Sequence, residues 1–113
     1  MQQPHLDEIL PPEAVARFCK KWKIAELYVF GSAARGEMRD DSDIDLLYVF
    51  EPEALWTYFD IIDMEEELAH AAGRRVELMS RSAMEQSRNE FKRAAILGEA
   101  RLIHAHDDAQ VSG

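Results

Sequence analysis

Asp43 and Asp45 stand i, i+2 at the head of the apolar run Ile44–Phe50. In a strand, side chains alternate between faces, so both carboxylates project to one side while Ile44 points to the other. Two such charges lie roughly 6–7 Å apart along a strand and repel unless a cation sits between them. Oxygen-only ligands suit Mg²⁺ or Mn²⁺, which keep several waters and take up phosphate oxygens from a substrate. A bare Asp-x-Asp is better read as an acidic strand start, with Asp43 bonded to backbone. Here Gly31-Ser32 precedes it at the end of another apolar run, Leu27–Phe30, and that tips the reading toward a ligand site. Glycine permits close backbone approach, and free amides plus a hydroxyl can hold phosphate oxygens. Arg35 adds a cation near those phosphates, or else pairs with the surrounding acids.

Glu77 is the charged residue within Val76–Met79, and a charge inside a short strand is costly unless paired or metal-bound. It is read as a third carboxylate converging on the aspartates from an adjacent strand; the alternative is a surface glutamate paired with Arg74 or Arg75. His104 and His106 would share a face of a terminal strand, but a bare His-x-His is weak evidence for a metal pair, and no ligand role is expected of them.

Several elements must carry these groups. Pro11-Pro12 opens a helix whose Val15, Phe18, Cys19 and Trp22 recur at i, i+3, i+4, i+7, a core-facing stripe in which Cys19 is a small buried hydrophobe. Residues 24–30 read as a strand, and Ser32 as the N-cap of a short turn through Arg35. The unbroken run 44–50 reads as an interior strand covered on both faces. A helix is expected over 54–72, with Leu55, Tyr58, Ile61, Ile62, Leu68, Ala69 and Ala72 inward, Glu65 intruding on that side, and Gly73 as C-cap. A third strand follows at 75–79. Ser82 is expected to cap a helical region, continuous or broken, reaching Leu97, with Phe91, Ala94, Ala95, Ile96 and Leu97 supplying core contacts and Gly98 ending it; 100–104 forms an edge strand. The order α-β-α-β-α-β-α-β predicts an α/β (α+β) fold, helices against a mixed sheet. One domain over 1–104 is expected, with 105–113 a disordered tail.

The 113 residues carry a net charge of −9, and residues 37–67 hold twelve acids against the lone Arg39. That excludes the basic footprint of a nucleic-acid binder and suits a cation site or a basic partner; a solvated acidic face accounts for part of it. No apolar run approaches the roughly 20 residues that span a bilayer. The N-terminus lacks the basic and apolar regions of a secretory signal, and the single Cys19 fits a reducing compartment, so a cytoplasmic location is expected.

Gly31-Ser32, ten residues, then Asp43-Ile44-Asp45 resembles the G-S-x10-D-x-D signature of the DNA polymerase beta-like nucleotidyltransferase superfamily. The fuller string G-S-A-A-R-G-x5-S-D-I-D-L resembles the minimal nucleotidyltransferase family, small stand-alone domains often encoded beside HEPN-domain ribonuclease toxins. The resemblance implies a nucleotidyltransferase fold with a mixed four- to five-stranded sheet flanked by helices. It implies nucleotide binding by Gly31, Ser32, Arg35 and Ser42, and catalysis and metal binding by Asp43 and Asp45. The family's third carboxylate, usually aspartate, falls on Glu77, a departure that displaces the charge by about one ångström or more.

The function so implied is AMP transfer from ATP, with two Mg²⁺ ions (Mn²⁺ as a substitute), to a hydroxyl of a partner HEPN toxin in a hetero-oligomer, tyrosine being the expected acceptor. The alternatives are an antitoxin that neutralises the toxin by binding alone and, more weakly, a small-molecule nucleotidyltransferase. No direct nucleic-acid or membrane partner is expected.

Overall fold

The computed structural model describes residues 5–39 and 41–105. Among the described residues the elements follow in the order α1 (Leu6–Ile9), α2 (Pro12–Lys21), β1 (Ile24–Phe30), α3 (Ser32–Arg35), β2 (Ile44–Phe50), α4 (Tyr58–Ala72), β3 (Val76–Ser80), α5 (Arg81–Glu85), α6 (Glu90–Glu99) and β4 (Arg101–Ala105). The strands form one sheet in the order β3-β2-β1-β4. β1 is antiparallel to β2 and β4, whereas β2 and β3 run parallel. A parallel pair needs a crossover, and α4 supplies it. The mixed sheet and the interior place of β2 are as the sequence predicts.

Alternation along the strands divides the core in two. Leu27, Val29, Ile44, Leu46, Val76 and Leu78 face one way and pack with Val15, Phe18 and Cys19 of α2 and Met64 and Leu68 of α4. Phe30 and Leu47 face the other way, where Met84 of α5 covers them and Ile96 and Leu97 of α6 pack alongside. Burial pushes the Cys19 thiol up to about 12, as expected of a core residue without a nucleophile's role.

The helix boundaries bring several corrections. The central helix begins at Tyr58, because Thr57 and Asp60 form a reciprocal capping box that fixes the first turn there. Leu55 therefore lies ahead of the helix, and Trp56 takes the inward place instead. Its Nε1 donates to the Trp22 carbonyl (2.6 Å), and its ring meets Trp22 edge-on with centroids 5.1 Å apart. Leu55 and Tyr58, both expected in the core, are 89% and 72% exposed.

Glu65 earns its place on the inner side of α4: its Oε2 accepts the Leu78 N–H at 2.8 Å, satisfying an amide of the edge strand β3. The helical region after β3 is two helices, capped by the side chains of Ser80 and Asn89 and not by Ser82. Gly98 lies inside α6, which runs on to Glu99. Phe91, Ala94 and Ala95 are exposed, since α6 covers the sheet with Ile96 and Leu97 alone. The N-cap of α3 is Gly31, one residue before the predicted Ser32. Ala105 belongs to β4, and the rest of the expected tail, 106–113, lies outside the described residues.

Candidate functional site

The site forms at one end of the sheet, on the face shared with α5 and α6. Register decides its membership. Asp45 lies opposite Phe30 of β1 and opposite Glu77 of β3, so an aspartate and a glutamate stand side by side on adjacent strands. Strand pairing thus brings Glu77 beside Asp45, one member of the aspartate pair. Asp43 and Glu77 are exposed and Asp45 is half-buried. Among the described residues no cation pairs with Glu77; Arg74 and Arg75 do not.

The electrostatics show how closely these groups feel one another. The Asp45 carboxyl is held above the usual carboxylate range, first by burial and then by the charges of Glu77, Asp43 and Glu99, with Arg35 opposing. A cation held among these acids would reverse that balance, since opposite charge favours the ionised form. No three His, Cys, Asp or Glu side chains among the described residues stand together as a ready-made metal cage. Mg²⁺ does not require one: it commonly takes one or two carboxylates and fills its octahedron with water and substrate phosphate. The donor set fits such an ion. His104 lies in β4 opposite Leu27, and His106 is outside the described residues.

Gly31 ends β1 at φ 73°, ψ −152°, a conformation that a side chain strongly disfavours. A Cβ at Gly31 would also lie 2.6 Å from Asp45 Oδ2. Backbone and carboxylate meet because this residue has no side chain. The Gly31 carbonyl then accepts from Ala34 and Arg35 N–H (3.1 and 3.2 Å), winding α3 so that Ser32 opens the turn. The Gly31 amide is already held: it donates to Glu99 Oε1 at 2.9 Å. Arg35 pairs through Nε with Glu37 (2.7 Å) and through Nη1 with Glu99 Oε2 (3.0 Å). Ser42 accepts the Arg39 N–H on its hydroxyl (2.7 Å), so it shapes the loop ahead of Asp43.

Sequence reasoning missed three supports. Met38 is 2% exposed and roots the acidic loop in the main core; its signal was a lone large apolar residue in a polar loop. Arg74 Nη1 donates to the carbonyls of Arg39 (2.6 Å) and Ser42 (3.1 Å), clamping the same loop, and nothing in an Arg-Arg pair after a glycine reveals that. Glu99 had a physical signal, because a carboxylate at a helix C-terminus opposes the dipole and needs compensation.

A family model described as nucleotidyltransferase domain matches residues 12–103. The chain belongs to that family. It is 37% identical over 65 residues to the protein adenylyltransferase MntA of Thermococcus cleftensis, covering 58% of this chain and 64% of that protein. The chain thus spans just under two thirds of that relative's length. A solved structure described as a putative minimal nucleotidyltransferase matches at 36% identity with a TM-score of 0.61, over 80% of this chain and 86% of the other. A toxin–antitoxin crystal structure with AMP-PNP matches at 16% identity with a TM-score of 0.66, over 91% and 80%. A tri-AMPylated Shewanella oneidensis HEPN toxin in complex with its MNT antitoxin matches at 13%, with a TM-score of 0.56, over 89% and 75%. At those identities the last two show the nucleotidyltransferase-type fold alone. Among the described residues no helix is long and apolar enough to cross a membrane.

Proposed function

We propose that this chain is a protein adenylyltransferase that moves AMP from ATP to a hydroxyl of a partner HEPN ribonuclease, with tyrosine as the acceptor. The observation that carries the reading is the register of Asp45 against Glu77, with the backbone of Gly31 pressed to the same aspartate. Asp43, Asp45 and Glu77 would hold Mg²⁺, two ions in the full site, which supply charge stabilisation at the reacting phosphoryl group. Ser32 and Arg35, with main-chain amides of the turn, hold the triphosphate oxygens. The acceptor oxygen attacks the α-phosphorus, its bond to the pyrophosphate oxygen breaks, and the hydroxyl proton passes to Glu77. Glu77 suits that role because it is exposed on the edge strand β3, open to an incoming macromolecule. The protein adenylyltransferase MntA relative and the AMPylated HEPN toxin of the Shewanella complex support this chemistry.

The surface also supports a protein partner. Leu55, Tyr58 and Phe59 are exposed by 89%, 72% and 75%, and residues 51–67 hold seven acids with no Lys or Arg. Apolar anchors in an acidic field suit a basic ribonuclease. That same face favours a second reading, neutralisation by binding alone, which the glutamate in place of aspartate at residue 77 also allows. Incubation with the partner, ATP and Mg²⁺, followed by mass spectrometry of the partner, separates them. Transfer gives an AMP-sized adduct that Asp43→Ala/Asp45→Ala abolishes. Inhibition of the ribonuclease that survives the double substitution without any adduct overturns the enzymatic reading.

A further inference from the structure

Glu99 is the last residue of α6, where the helix dipole disfavours a carboxylate. Its compensation comes from across the site. One oxygen accepts the Gly31 N–H at 2.9 Å, and the other pairs with Arg35 Nη1 at 3.0 Å. These two donors flank Ser32, so one side chain ties the end of β1 to the end of α3 around the turn. The Glu99 side chain is only 27% exposed, whereas that of Arg35 is 48% exposed. The better-buried partner therefore anchors the freer one. A second hold, from Glu37 to Arg35 Nε at 2.7 Å, fixes the guanidinium from the other side.

An arginine at a half-exposed position loses much rotamer freedom when it binds a phosphate. Here two carboxylates impose that restriction beforehand, and the guanidinium keeps donors beyond the two they engage. The backbone argument runs in parallel. Gly31 takes a conformation open essentially to glycine alone, and the bond to Glu99 holds its amide just ahead of Ser32.

We propose that Glu99 is a positioning residue for the nucleotide: it holds the Gly31 amide and the Arg35 guanidinium so that Ser32 and Arg35 meet the triphosphate already oriented. This rests on the nucleotidyl-transfer reading. Glu99 acts through Arg35 and Gly31, so its removal loosens ATP binding more than it slows the chemical step.

The test measures ATP affinity in the presence of Mg²⁺ by calorimetry on the whole chain, for wild type, Glu99→Gln, Glu99→Asp, Arg35→Ala and the Glu99→Gln/Arg35→Ala double variant. Glutamine keeps an oxygen for the Gly31 N–H and loses the ion pair. E99Q is expected to weaken ATP about tenfold, the scale of one charge-assisted bond, and to raise KM for ATP with kcat within about threefold. In the Arg35→Ala background the same change is expected to add less than about twofold, the mark of two residues acting as a unit. E99D keeps the charge but shortens the reach, and is expected to bind ATP as weakly as E99Q.

Equal losses in both backgrounds, wild-type affinity in E99Q, or wild-type affinity in E99D would each overturn the positioning role. Tighter ATP binding by E99Q would also overturn it, by showing that the carboxylate competes with phosphate. Thermal unfolding of each variant is recorded alongside; a loss of affinity accompanied by an equal fall in Tm for E99Q and E99D alike assigns Glu99 a purely structural role. Absence of ATP binding by the wild type fails the nucleotide reading itself, a result distinct from any of these.

Discussion

Asp45 allows the sharpest thermodynamic test. Its carboxyl sits above the usual carboxylate range through burial and through its neighbours Glu77, Asp43 and Glu99. Paired strands lie about 4.8 Å apart, which places carboxylates on registered residues of one face roughly 5–6 Å from each other. Two unit charges at that distance repel by about 3 kcal/mol at an effective dielectric of roughly 20. Glu77 is exposed and Asp45 only half-buried, so solvent screening reduces the net penalty to on the order of 1 kcal/mol. The pH dependence has a definite sign. Because the folded-state value is raised, the folded protein binds more protons than the unfolded chain between the ordinary carboxylate value and the raised one. Stability therefore falls as pH rises through that window, and the penalty is fully present at pH 7. Asp45→Asn is expected to raise Tm at pH 7 in EDTA by roughly 4 °C. The gain should shrink as pH falls through the raised value toward the ordinary carboxylate value and vanish well below it, at about pH 3 and lower, where Asp45 is protonated in both states. Mg²⁺ should raise the wild-type Tm and leave that of the variant nearly unchanged, by mass action on the folded form. Scanning calorimetry in EDTA and in Mg²⁺ at several pH values reads all three effects. A variant less stable than wild type at pH 7 without metal would refute the account of the site as a cluster of unrelieved negative charge.

Two further substitutions probe the backbone around that cluster. Gly31→Ala puts a Cβ 2.6 Å from Asp45 Oδ2 at a φ of +73°; it is expected to cost roughly 1–3 kcal/mol in urea unfolding and to lower AMP transfer by about 100-fold or more, and near-normal transfer would sink the close-approach argument. Arg74→Met removes the donor to the Arg39 and Ser42 carbonyls, along with an Nε that is buried without a partner. A net loss of about 1 kcal/mol is expected, with faster hydrogen exchange at the Ser42 amide, which donates to Arg39 O at 3.1 Å; unchanged exchange there would remove Arg74 from the loop's support.

Much of the scaffold was legible because strands announce themselves locally. The apolar runs at 24–30 and 44–50 became β1 and β2 with those bounds, and the alternation of Asp43, Ile44 and Asp45 carried over directly. Glu77 was legible as an anomaly, a charge in a short apolar strand, and strand register then placed it beside Asp45. The misses have two physical origins. Periodicity shows that a helix has an inner face but leaves its phase open, and phase is set by caps and by single bulky side chains. The Thr57–Asp60 box and the inward Trp56 turned Leu55 and Tyr58 outward. The clamps by Arg74 and Glu99 span 32 to 68 residues; the place of Glu99 at a helix C-terminus signals that it needs a partner, but contacts of that range leave no local pattern that says which.

The parallel pairing of β2 with β3 has a kinetic meaning. The carboxylates of Asp45 and Glu77 come together across the crossover that α4 makes, because a parallel neighbour cannot be reached by a tight turn. Loop closure over that distance precedes any gain from the contact, so such pairings form slowly relative to hairpins. The β1–β2 antiparallel pair can bring Gly31 to Asp45 early. Glu77 arrives with β3, and Glu99 cannot reach Gly31 until α6 has been synthesised and docked. The antiparallel half of the site is thus built from contacts close in sequence, and Glu77 and Glu99 join it through contacts of much greater sequence separation.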